Sequence, residues 1–300
     1  MLPRRSPMLR KSAVAGRFYQ GAAAALKRQV ADFIIPEARK KKALGILSPH
    51  AGLIYSGSVA GAVYSGIELP DTIVLIGPNH TGLGAPISLM ANGLWETPLG
   101  KVAVDEALAA SILSKSPRIH DDSLAHIHEH SLEVQLPFIQ YLKQEFKIVP
   151  IQMLDTRLET CLEVGKAVAE AIKGRVQGSG FRGQDAGNRA GVGEKSRHQS
   201  ELCNVLIVAS SDMSHYERAA TAKDKDFKAI QRILELDPEG LYRTVKDYGI
   251  TMCGCGPAVA MLVACKILGA TSAELIKYTN SGEVSGDYEQ VVGYAGVVVW

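Results

Sequence analysis

Two stretches of this 300-residue chain repeat one arrangement: an apolar run, a proline and then a histidine. In Leu44-Gly-Ile-Leu-Ser-Pro-His50 the run over 44–47 reads as a buried strand. Pro49 ends it, because proline cannot donate to a ladder and keeps Ser48 out of helical conformation. His50 follows just past the strand end, before Gly52 and a small-residue segment from 56 to 64 that reads as a helix. Thr72-Ile-Val-Leu-Ile-Gly-Pro-Asn-His80-Thr-Gly82 repeats the order. In open α/β sheets, ligands bind in the crevice beyond the carboxyl ends of the strands. Two such exits bring His50 and His80 to one rim, and the simplest physical reading is that they share a metal ion.

The rest of the chain alternates the same two kinds of element. Residues 1–12 read as a loose basic leader and 22–34 as a helix. Turn residues between and within 85–91 and 94–104 (Asn92-Gly93, Pro98, Gly100) read as hairpins. A helix over 105–115 takes Asp105 as its cap, and another starts near Ser131 and runs to about 142. Strands follow at 147–153, 205–209, 274–278 and 291–299, interleaved with helices at 158–173, 221–234, 238–247 and 256–267. This alternation predicts an α/β fold, a three-layer α/β/α sandwich with a central, mostly parallel or mixed sheet, built by one domain over 13–300. Residues 173–200 are rich in glycine and polar residues, offer too little apolar surface to offset ordering, and are expected to be a flexible insertion. Within it, Gly191-Val-Gly-Glu-Lys-Ser196 fails as a phosphate loop, because Glu194 stands where glycine must precede the lysine.

Net charge is +2, too small to make nucleic acid or acidic lipid the main partner. No stretch reaches the roughly 18 apolar residues of a membrane span, and no apolar core follows the basic N-terminus as in a secretory signal. The five cysteines, at 161, 203, 253, 255 and 265, are odd in number and mostly lie in apolar runs. They read as reduced thiols of a cytoplasmic protein rather than as a disulfide framework.

Beyond His50 and His80, three places offer chemistry. Met252-Cys-Gly-Cys-Gly-Pro257 opens an apolar helix, and a thiol near a helix N-terminus is favoured as thiolate, the form that binds metals or attacks carbon. Its C-x-C spacing, with no second pair, excludes a zinc finger; two small buried hydrophobes in a tight turn are the plain alternative. His126, His128 and His130 alternate, which on extended backbone puts all of them on one side, but only His130 lies against the next helix start. Asp212 and His215 follow the strand ending at Ala209. Asp212 is a candidate to orient a ligand histidine or to form the turn, and His215 to act as acid or base.

Two histidines and one anionic donor with open positions suit non-haem iron, copper or zinc, and a thiolate disfavours hard ions such as magnesium. The absence of a G-x-S-x-G elbow disfavours a serine hydrolase of that class. Two other readings stay open: a Cys253 nucleophile with a histidine base, in a hydrolase or transferase, and a metal-independent module for a peptide or small acid.

The runs Ser48-Pro-His50-Ala-Gly-Leu-Ile-Tyr-Ser-Gly57, Gly77-Pro-Asn-His80-Thr-Gly82, Glu129-His130-Ser131-Leu-Glu133, Ser210-Ser-Asp212-Met-Ser-His215 and Cys253-Gly together resemble the Memo family. Gly286-Asp287-Tyr288 and Gly293-Tyr-Ala are similar too, so the likeness runs from about Ala13 to Trp300 outside the insertion. It implies a fold related to class III extradiol ring-cleaving dioxygenases, whose iron is held by two histidines and a glutamate. By that likeness His50 and His80 match the metal-binding histidines and Cys253 the residue in the carboxylate's place. His130, Asp212 and His215 match further pocket residues. Iron or copper is the implied cofactor, with zinc also compatible, while Cys255-Gly256 departs from some relatives and leaves either thiol eligible. A cysteine ligand argues against ordinary catechol cleavage, since a thiolate changes charge donation and can itself be oxidised. Eukaryotic relatives are described as metal-binding signalling proteins. Microbial relatives accompany radical-SAM proteins, so the resemblance implies such a partner beside a small-molecule or peptide ligand.

Overall fold

The computed structural model describes residues 8–179 and 204–300. Its strands are β1 (Leu9–Arg10), β2 (Gly45–Ser48), β3 (Thr72–Pro78), β4 (Ile87–Leu89), β5 (Leu94–Thr97), β6 (Gly100–Val104), β7 (His120–Asp121), β8 (Lys147–Met153), β9 (Val205–Ser210), β10 (His215–Glu217), β11 (Ala273–Asn280) and β12 (Val291–Val299). They form one mixed sheet in the order β1-β5-β6-β8-β3-β9-β2-β12-β10, with β11 on β12 and the β4–β7 pair on β8. The middle run β6-β8-β3-β9-β2 is parallel. Its inner strands are buried almost throughout, so they read as continuous aliphatic runs rather than as alternating patterns.

Helices cover both faces, completing three layers. On one side α2 (Leu53–Ser65) lies over β2, β11 and β12, with α5 (Leu136–Leu142) against it and α1 (Ala23–Ala31) against α5. On the other, α6 (Leu158–Ser179) packs on α9 (Cys255–Ile267), and α9 on β2, β3 and β9. The short helix α3 (Glu106–Leu113) rests against α6, while α7 (Ala219–Leu234) lies on β11 and β12 and packs with α8 (Pro238–Asp247), which in turn packs on α9. The remaining short helices are α4 (Leu124–Ile127) and α10 (Gly282–Ser285). No helix among the described residues is long and apolar enough to cross a membrane.

Several boundaries differ from the sequence expectation, each for a tertiary reason. The basic leader is not loose throughout: Leu9–Arg10 pairs in parallel with β5, and Arg10 is buried. Only 94–104 forms the expected hairpin, as β5 and β6; β4 pairs antiparallel with β8 instead. α6 continues to Ser179, into the stretch expected to be an insertion. The remainder of that stretch, with His198 and the Gly191–Ser196 run, lies outside the described residues. Asp105 does cap α3, accepting from the Leu108 amide at 3.1 Å, while Arg175 and Thr72 occupy its other oxygen.

Small residues on α2 let the helix sit close to the 33–34 turn. A Cβ on Gly61 would lie 2.3 Å from the Phe33 carbonyl oxygen, a backbone atom that cannot swing aside. Gly61→Ala gains about 1 kcal/mol of helix propensity but overpacks the interface at a cost of roughly 1–3 kcal/mol. Urea denaturation is therefore expected to show a net loss; a stabilised variant would mean that the 33–34 turn retreats freely.

Candidate metal centre

The sheet's connectivity brings the two histidines together. β2 and β3 both flank β9, so His50 and His80 leave the sheet on either side of the strand that ends in Ser210 and leads to Asp212. Cys253 comes from the turn before α9, and that turn packs directly on the end of β9. A Cβ on Gly254 would stand 2.4 Å from the Ser210 carbonyl oxygen, so the approach requires glycine.

Ligand-capable atoms of His50, His80 and Cys253 lie within 4.8 Å of one another. The closest contact is Cys253 Sγ to His50 Nε2, at 3.3 Å. The rings of His50 and His80 are 5.3 Å apart, edge to face, and His130 stacks on His80 at 4.9 Å. His130 also stands 5.5 Å from His50, so these imidazoles form one cluster. The His80 side chain is 35% exposed and that of His50 only 2%, which puts the solvent opening on the His80 side.

Glu129 organises that opening. Its carboxylate accepts from the amides of His80, His130 and Ser131 at 2.5, 2.8 and 2.9 Å, and from His80 Nδ1 at 3.0 Å. Burial alone would raise this carboxyl group, but the His80 contact and the amides outweigh it and hold it at about 2. Three of these donors crowd Oε1 and one takes Oε2, so Glu129 holds His80 and the backbone of 129–131 in place, and its atoms also lie close to those of His130. Because a carboxylate only accepts, His80 donates to it from Nδ1, and Nε2 is left as the ring's other ligand-capable atom.

The other atoms of the centre are held as tightly. Asp212 Oδ1 accepts from the His50 amide at 2.8 Å and from the Ala51 amide at 3.3 Å. His50 Nδ1 contacts Ser210 Oγ at 2.9 Å. Burial lowers the basicity of His50 and of His130, helped by the neighbouring imidazoles, so both are neutral as metal ligands must be. Cys253 departs from the expected thiolate: burial and the Asp212 charge push its thiol up, and amide contacts do not offset them. Metal binding at this sulfur therefore displaces a proton.

His215 sits at the edge on β10, where its Nδ1 donates to the Thr251 carbonyl at 2.9 Å, leaving Nε2 as the accepting nitrogen. It is not among the donor atoms that converge with those of His50, His80 and Cys253. Cys255 is buried and lies outside the cluster. A cavity of about 430 Å³, lined by Cys253, Cys255, Thr156, Arg157, Tyr242 and Lys246 among others, borders the cysteine turn on a side that none of the clustered histidines lines.

The three alternating histidines do not share a face, contrary to the extended reading. His126 lies in α4, buried edge-on to Trp95 at 5.7 Å, and His128 is exposed. Sequence reasoning did not single out the supporting residues. Glu129 had a local signal, a carboxylate directly before His130. Ser210 and Glu133 stood in the runs that carry the family resemblance but had no local sign of a role, because their partners are distant in the chain.

A family model described as "Memo-like protein" matches residues 10–178 and 184–298. A MEMO1 family protein of Methanopyrus kandleri is 39% identical over 305 residues, covering 97% of this chain and 99% of its own length. One from Aquifex aeolicus is 42% identical over 292 residues, covering 97% and 98% respectively. Another, from Methanothermobacter thermautotrophicus, is 40% identical over 300 residues and covers 96% of this chain and 99% of its own.

Proposed function

Given that this chain belongs to the Memo-like family, we propose that it is a metal-binding protein whose single centre is held by His50, His80 and Cys253. The observation that carries this reading is the convergence of those three donor atoms, from two strand exits of one sheet and from the turn before α9. Donors bound to one ion at about 2.0–2.3 Å stand about 3.3–3.7 Å apart in tetrahedral arrangement. The 3.3 Å between Cys253 and His50 meets that spacing without rearrangement. Two imidazoles and a sulfur suit iron, copper or zinc and leave coordination positions open. Bound iron or copper supplies redox chemistry there, and zinc supplies Lewis acidity only.

The chain's own groups serve such a centre in distinct ways. Asp212 fixes the backbone of His50. His130, neutral and stacked on His80, faces the opening where a small molecule or peptide end enters, and can hold a proton at its free nitrogen. His215 offers Nε2 as a second proton acceptor at the edge. A redox enzyme related to extradiol dioxygenases is the finer form of the proposal, with a radical-SAM protein as its partner. The described cysteines are free thiols, which supports a reducing, cytoplasmic setting.

The Cys253–His50 contact by itself also fits a thiol nucleophile with an imidazole base. Protonation states argue against it: burial raises the thiol and lowers the imidazole, so transfer of the proton from sulfur to His50 is opposed at both ends. Elemental analysis after anaerobic purification tests the proposal. About one iron, copper or zinc per chain is expected, falling more than tenfold in His50→Ala and Cys253→Ser. Equal metal content in all three proteins would refute the centre, and activity that survives chelation but not Cys253→Ser would favour the nucleophile.

A further inference from the structure

His50 can bind a metal through Nε2 only if its proton sits on Nδ1, and nothing in an isolated imidazole enforces that choice. Around Nδ1 the structure holds one neutral atom, Ser210 Oγ, at 2.9 Å. A hydroxyl can donate or accept, so the answer depends on its other contacts. Ser210 Oγ lies 2.7 Å from the Ser131 carbonyl oxygen, which only accepts, so the hydroxyl proton is committed there. Gln135 Nε2 stands 2.8 Å away on another side. The orientation of that amide is itself settled: Nε2 also faces the Pro49 carbonyl at 2.9 Å, and Oε1 accepts from the Tyr64 hydroxyl at 2.9 Å. Gln135 therefore donates to Ser210, whose one remaining lone pair can only receive a proton from His50.

We infer that Ser210 is a positioning residue: its committed hydroxyl fixes His50 as the tautomer protonated at Nδ1 and aims the Nε2 lone pair at Cys253. The chain thus sets its two histidines by different means, an ionised carboxylate for the exposed His80 and a neutral hydroxyl for the fully buried His50. A second carboxylate in the hydroxyl's place would add to the buried Asp212, whose Oδ2 already lies 4.0 Å from His50 Nε2, whereas a hydroxyl with three satisfied contacts costs little. The Ser210–Gln135–Tyr64 chain also ties the end of β9 to α2 on the sheet's far face, so the tautomer is anchored to the core rather than to a loop.

The consequence for the metal rests on the proposed centre, but the tautomer does not, and the test separates them. Long-range ¹H–¹⁵N correlation spectra of metal-free, histidine-labelled protein are expected to show pyrrole-type Nδ1 and pyridine-type Nε2 nitrogens for His50. Ser210→Ala should give a mixed or reversed pattern, and Ser210→Thr, which keeps the hydroxyl, should retain the native one. Titration with zinc should then show affinity reduced about 10–100-fold in Ser210→Ala and near normal in Ser210→Thr. A native His50 protonated at Nε2 overturns the inference even if no variant folds, as does an unchanged tautomer in Ser210→Ala. A changed tautomer with unchanged zinc affinity overturns its role in metal binding. Native tautomers as expected in a protein that takes up no metal would instead defeat the centre and leave the tautomer lock standing.

Discussion

Arg10→Met is expected to destabilise the fold by roughly 3–5 kcal/mol, the usual result of stranding one member of a buried ion pair. Arg10 and Glu133 are both buried and pair directly, across 123 residues of chain. The guanidinium also donates to the carbonyls of His126 and Glu129, at 2.9 and 2.5 Å, and lies 4.3 Å over the Trp95 ring. Glu133 in turn accepts from the amides of Ala13 and Val14, at 2.7 and 3.1 Å, and from the Tyr19 hydroxyl. Removing both charges, as Arg10→Met with Glu133→Leu, should not restore stability as it does for an isolated pair, because those donors lose their acceptor. Against a typical total of about 5–15 kcal/mol the single loss is large. Urea denaturation at fixed pH measures it; a loss below about 1 kcal/mol, the size of an exposed pair, would mean that water reaches the site.

Acid should unfold the protein partly through His126. Both its ring nitrogens are buried with no hydrogen-bond partner among the described residues, although the Ser88 carbonyl pulls weakly in its favour. Burial first, and the Arg10 guanidinium second, push it from the usual 6.5 to about 3. Between those values the unfolded chain binds a proton that the folded one does not, so stability falls as pH drops through that window, by about 1.4 kcal/mol per unit. Burial lowers His50 and His130 in the same sense, while Asp212 and Asp226 are raised by burial and act oppositely. The comparison with His126→Phe isolates the one group, since phenylalanine fills the same space and titrates nothing. The difference in unfolding free energy between the two proteins should change by several kcal/mol from pH 6.5 to pH 3.5. A difference independent of pH would show that His126 takes up its proton inside the fold.

The parts of this architecture that can be read along the chain are those set by neighbours in sequence. Pro49 and Pro78 stop their strands wherever they lie, Asp105 caps the helix that follows it, and buried parallel strands announce themselves as aliphatic runs. Placing His50 and His80 at one rim of the sheet needs only those local rules and the habit of α/β sheets. Segments defined by distant contacts were opaque. The 126–130 stretch reads as extended by alternation, yet α4 forms there, and Arg10 grips its carbonyls from 116 residues away. That same arginine looks like one more charge in a basic leader until Glu133 is placed beside it. Ser210 stands in a motif run with no sign of its role, because that role belongs to its commitments to Ser131 and Gln135, 79 and 75 residues off.

α6 begins beside the rim that bears the clustered side chains and carries the chain across to the opposite edge, from which β9 starts back. Both anchors of the glycine-rich stretch therefore stand at the floor of the molecule, a full strand length from the imidazoles. The described chain thus leaves at Ser179 and returns at Asn204 on the underside, away from the mouth above.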